Sequence, residues 1–172
     1  MNNGHAVESE WMQGILRRFE GDLLRYARRI VGDEEHARDI VQETFLKLWR
    51  IDRATLDGHL VEWLYTVCRN QAVDVRRKEQ RMQILAEETL ARHENADPSP
   101  QILAERRDSA AQVLELVDRL PANQQEVIRL KFQGGLSYLE ISRVTGMTVS
   151  HVGVLIHTGL KSIRMQLCPS SP

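Results

Sequence analysis

Apolar residues recur at three- and four-residue steps along nearly the whole chain, and no stretch shows the two-residue alternation of a strand. From Trp11 to Val31 the series Ile15, Phe19, Leu23, Tyr26 or Ala27, and Ile30 predicts a long amphipathic helix. The stretch "GDEEHARD" interrupts it. Gly32 breaks the helix, and Asp33 caps a second one whose first turn is acidic. That helix runs to about Trp49 with Val41, Phe45 and Leu48 on its core side. "RIDRATLDGHL" reads as a loop with a short turn. A further helix begins near Leu60 and passes Lys78, with Leu64, Cys68, Ala72 and Val75 as its core stripe.

"RHENADPSPQ" then stops the helical rhythm, because Asp97-Pro98 and Ser99-Pro100 do not continue a helix comfortably. Periodicity resumes near Ile102 and continues to Leu120. Pro121 opens another helix, which Gly134-Gly135 end. Ser137 and Glu140 form an S-x-x-E capping box before a short helix, Gly146 permits a sharp turn, and Thr148 caps the last helix. On that helix Val149, Val152, Ile156, Leu160 and Ile163 are expected to face the core. Ser150, His151, Val154, Thr158 and Lys161 face the other way. The expected fold is all-α: two small helical domains joined by a flexible acidic linker. The division is 11–82, linker 83–106, 107–167, and a polar tail 168–172.

Few aromatics, sparse Gly and Pro, and many Leu, Glu, Arg, Ala and Gln agree with helix. No apolar run is long enough to span a bilayer, and the N-terminus lacks the basic start and apolar block of a signal peptide. The two cysteines, Cys68 and Cys168, make neither a disulfide scaffold nor a metal site. A reduced, cytoplasmic protein is expected, without membrane insertion and, for want of a heptad or free dimer stripe, monomeric. The net charge of −1 conceals a pattern. Arg69–Arg81 is basic, Ile84–Asp118 is acidic, and Arg119 onward is basic again. That order suits two nucleic-acid-facing modules separated by a linker.

Three surfaces invite a functional reading. In the turn and final helix, small polar residues at the front can approach base edges, Val154 can touch a thymine methyl, and Lys161 and Arg164 lie where phosphate would. A plain helical hairpin with a solvated face is the bland alternative. On the second helix, Asp39, Gln42, Glu43 and Leu46 share the outer face, a partner patch or a solvated face with one stray Leu. On the third, Trp63, Thr66, Arg69, Asn70, Val73, Arg76 and Arg77 share one arc, which suits opened or single-stranded DNA. Taken alone, Trp63 reads better as core.

"DIVQETFLKLWR", then "WLYTVCRNQAVDVRRK", then "LVDRLPANQQEVIRLKFQGGLSYLEISRVTGMTVSHVGVLIHTGLKSIR" together resemble a bacterial RNA polymerase sigma factor. Short length and two modules resemble the extracytoplasmic-function (ECF) group. The resemblance implies that Asp39, Gln42, Glu43 and Leu46 dock on the β′ clamp helices of core RNA polymerase. It implies that Trp63, Arg69, Asn70, Arg76, Arg77 and Lys78 engage the −10 element, with Asn70 at a position that holds a flipped base. Thr148, Ser150, His151, Val154, His157 and Lys161 would read the −35 element, and "DRLPANQQEVIRLKF" lies next to a β-flap contact. An anti-sigma factor is an implied partner, beside core polymerase and promoter DNA. Many relatives carry Lys or Arg near Ser150, Val152 and His157, which this chain does not.

The function so implied is promoter recognition and melting in transcription initiation. No enzyme activity or cofactor is expected: there is no Gly-rich phosphate loop, and the six histidines are scattered. The alternative is a helix-turn-helix transcription regulator that is not a polymerase subunit. It leaves the two N-terminal motifs without a use.

Overall fold

The computed structural model describes residues 3–87 and 109–167. They form seven α-helices and one 3-10 turn, with no strand among the described residues. Helices α1 (Asn3–Val31), α2 (Glu34–Arg50) and α3 (Leu60–Glu87) make the first module. Helices α4 (Ser109–Asp118), α5 (Ala122–Phe132), α6 (Tyr138–Thr145) and α7 (Val149–Leu167) make the second.

The expected punctuation is where the helices end. Asp33 accepts a hydrogen bond from the His36 amide at 2.8 Å and so caps α2. The loop between α2 and α3 holds a 3-10 turn, Arg53–Leu56, capped by Asp52. Pro121 stands immediately before α5. The helix start expected near Ile102, the Asp97-Pro98 and Ser99-Pro100 breaks, and the tail 168–172 lie outside the described residues. The first-module core follows the predicted stripes. Leu23, Ala27, Ala37, Leu64, Cys68 and Ala72 are fully buried, and Ile15, Phe19, Val41, Phe45 and Leu48 nearly so. Thr44 enters this core by donating to the Ile40 carbonyl and accepting from Gln71. Burial pushes the Cys68 thiol up to about 12.

Helix α7 departs from its expected stripe. Val152, Ile156 and Ile163 are buried, but Val149 and Leu160 are exposed, and Leu155 and Gly159 take inward positions. The reason is close packing on α5. A Cβ at Gly159 would lie 2.6 Å from Ile128 Cδ1, so only a glycine row lets the helices approach this far. Turning Gly159 inward leaves Leu160 on the rim. Gly153 makes only an ordinary contact, with the Tyr138 ring.

The hydrophobic core does not stop at the module boundary. One cluster runs from Leu23, Leu64 and Cys68 through Leu130, Leu136, Ile141 and Val152. A second, smaller cluster joins Leu116, Val117, Leu120, Ile128 and Ile163.

Candidate nucleic-acid interface

The turn between α6 and α7 is built by local chemistry. Ser137 Oγ accepts from the Glu140 amide at 3.2 Å, and the Glu140 carboxylate accepts from the Ser137 amide at 2.7 Å. These bonds from the Ser137 hydroxyl and amide hold the Glu140 carboxyl below its ordinary range. Gly146 sits at φ 75°, a left-handed conformation that other residues adopt at a cost. The His151 amide then donates to Thr148 Oγ1 at 3.3 Å, so Thr148 caps α7. The result presents Thr148, Ser150, His151, Val154, His157 and Lys161 in one direction, all exposed. Val154, an apolar residue, is 60% exposed. Arg164 is exposed further along the same helix.

On α3 the cationic arc is present but not uniform. Asn70, Arg76, Arg77 and Lys78 are exposed. Trp63 is half-buried and packs partly against the core. Arg69 is drawn off: its Nε donates to Glu126 on α5 at 2.8 Å. Burial opposes its charge, but that hydrogen bond and the charge of Glu126 outweigh burial, and the guanidinium pKa is raised. Arg69 and Arg76 line a cleft of about 450 Å³ whose far wall is α5.

On α2, Asp39, Gln42 and Leu46 are exposed, and Glu43 is half-buried. Leu46 and Gln42 border an apolar groove of about 520 Å³ between α1 and α2, floored by Val41 and Phe45 and closed by Leu16 and Leu24. A second apolar groove, of about 350 Å³, lies on the other module, edged by Val113, Leu114, Phe132 and Leu160. Phe132 is 62% exposed there.

Family models match the chain in the same two blocks. Sigma-70 region 2 matches residues 15–82, and sigma-70 region 4 matches residues 110–163. The chain belongs to the sigma-70 family. Its relatives place it in the ECF group. The ECF RNA polymerase sigma factor SigE of Mycolicibacterium smegmatis is 28% identical over 96% of this chain, which spans 65% of that relative's length. SigD of Mycobacterium bovis is 28% identical over 94% of this chain and 79% of its own. Among solved structures, sigma factor RpoE of Bartonella quintana, in complex with the anti-sigma factor NepR, has the same fold. Its TM-score is 0.61 at 21% identity, over 95% of this chain and 99% of that one. CnrH, in complex with the cytosolic domain of CnrY, has a TM-score of 0.55 at 21% identity, over 95% and 91%. Sigma factors act in transcription initiation, and that is the role the family gives this chain. They are DNA-binding regulators rather than enzymes. No helix among the described residues is long and apolar enough to cross a membrane.

Three features of this ECF sigma factor escaped the reading of its sequence. Trp49, 59% exposed, shares the groove with Leu46, three residues away on the same helix face. The α1 wall of that groove could not be foreseen, because periodicity does not say which helices are neighbours. His59, Glu62 and Glu140 bring possible metal-ligand atoms within 4.8 Å of one another, although the sequence shows no such cluster. Glu140 lies far along the chain from the other two. Both carboxylates already have protein partners: Glu62 pairs with Arg143, and Glu140 closes the capping box.

Proposed function

We propose that this chain binds core RNA polymerase, recognises −35 and −10 promoter elements, and traps opened DNA for initiation. The observation that carries this reading is a fully exposed helix-turn-helix face and a cationic helix face in one chain, each inside its matching sigma region. Helix α7 enters the major groove with Ser150 and His151 at its front and Lys161 toward phosphate. On α3, Arg76, Arg77 and Lys78 follow the backbone, Asn70 meets an extruded base edge, and the exposed edge of Trp63 stands beside it. The α1–α2 groove and its rim, Asp39, Gln42, Glu43, Leu46 and Trp49, receive the β′ clamp helices. The groove at Phe132 and Leu114 receives the β flap. Both are apolar and left open by this chain, as partner surfaces are.

No covalent step is assigned to the chain; binding free energy offsets base-pair opening. Stacking contributes roughly 1–3 kcal/mol per base, so one Trp and one Asn do not melt a promoter without polymerase. The protein works in the cytoplasm, needs no cofactor, and is a monomer when free. An anti-sigma factor is its regulator, a reading supported by the complexes in which the similar folds of RpoE and CnrH were solved.

Run-off transcription with bacterial core polymerase on a promoter library tests this. New starts that share a −35/−10 pair are expected. Asn70→Ala should lower open-complex formation about tenfold or more while core binding stays intact. Duplex binding without polymerase, and no starts with it, would replace this reading with a free-standing regulator.

A further inference from the structure

The two sigma regions meet on the very face assigned to −10 DNA. Glu126, on α5 of region 4, places Oε1 2.8 Å from Tyr26 Oη and 2.8 Å from Arg69 Nε, both donors on region 2. The side chains of Arg69 and Glu126 are only 22% and 17% exposed. Beside them Arg29 donates to Gln125 and pairs with Asp118, and Asp118 also holds the buried Arg129. Burial and the neighbouring Arg29 lower the Arg129 pKa against the pull of Asp118. Further along, Glu62 pairs with Arg143 at 3.4 Å. Apolar contact completes the seam: a Cβ at Gly134 would stand 3.0 Å from the Tyr65 ring. The −35 face on α7, by contrast, is fully open.

We propose that this seam is an intramolecular latch. Region 4 lays α5 along the DNA-backbone track of α3, and the carboxylates of Glu126 and Asp118 stand in for phosphates. The proposal rests on the reading of α3 as the −10 track. The closed chain keeps its −35 helix and its α1–α2 groove available, while Arg69 is occupied and Arg76 faces α5 across the cleft. Polymerase, or DNA presented by it, must separate the regions before −10 binding. The apparent affinity for single strands is then reduced by the fraction of chains that are open.

The test uses the full chain in a Cys168→Ser background, with dyes at Glu35→Cys and Gln166→Cys reporting the distance between regions. An oligothymidylate of about a dozen nucleotides probes the backbone track without demanding a promoter sequence. Glu126→Ala should lower energy transfer and tighten oligothymidylate binding by about tenfold. Tyr26→Phe, which leaves the charge unchanged, should shift both readouts the same way by a smaller factor. The swap Arg69→Glu with Glu126→Arg should restore high transfer, with the net charge of the parent. Unchanged transfer in Glu126→Ala, with the helical melt intact, overturns the latch. Tighter binding in Glu126→Ala but not in Tyr26→Phe is a plain charge effect and also overturns it. If both variants open and neither binds DNA more tightly, the assignment of α3 as the DNA track fails, and the latch's purpose with it.

Discussion

Cys68 illustrates how a single residue follows from its surroundings. It lies on the predicted stripe of α3, is fully buried, and contacts the Leu23 carbonyl at 3.9 Å. Its thiol ordinarily titrates near 9, and here about 12. Because the folded value is the higher, its contribution to stability is complete below about pH 9 and is lost as pH rises toward 12. Cys68 should therefore resist alkylation at neutral pH in native protein and react readily in denaturant, followed by mass spectrometry of its peptide. Equal rates in both states would contradict this burial. Gly134 is a second such residue. An added Cβ would lie 2.8 Å from the Leu130 carbonyl, a backbone atom that does not yield cheaply. Gly134→Ala should cost about 1–3 kcal/mol in a denaturant melt, and a neutral result would show a looser seam.

Among the elements, the helix-turn-helix is the most locally determined. Ser137, Glu140, Gly146 and Thr148 each answer a backbone requirement within three or four residues, so the sequence discloses the unit directly. Ser137→Ala should cost about 1 kcal/mol of stability. Glu140, held below its ordinary 4.5, supports the cap fully above that pH and loses its contribution as pH falls through its folded value. The acid loss of stability should be shallower in Ser137→Ala, as read by circular dichroism from neutral to low pH. Helix α7 shows where local reasoning fails. Val149 and Leu160 have core spacing and core chemistry, yet they are exposed, because the approach allowed by Gly159 sets the rotation of the helix. Trp63 is intermediate, and both readings of it describe part of its surface.

For the whole molecule, charge is arranged rather than accumulated. The exposed DNA-facing half of α7 carries Lys161 and Arg164, and no Lys or Arg precedes them on that helix. Duplex binding by the free chain should fall with salt at a log–log slope of roughly −2, since each neutralised phosphate contributes about −0.9. Fluorescence anisotropy across a salt series measures it. A much steeper slope would mean that α3 also reaches DNA in the free chain, contrary to a closed seam.

The periodicity, the caps and the glycine turn determined the helices, the reading face of α7 and the cationic arc of α3, because those depend on residues within about two helical turns. The order and spacing of the motifs carried the sigma family. Tertiary structure alone decided how the regions sit on one another. Tyr26, Arg69 and Glu126 lie far apart in the chain, each is unremarkable in its own helix, and nothing in a local pattern states that they share one hydrogen-bonded oxygen. The grooves at Trp49 and Phe132 are decided in the same way, since a groove exists only once two helices have chosen their distance and rotation.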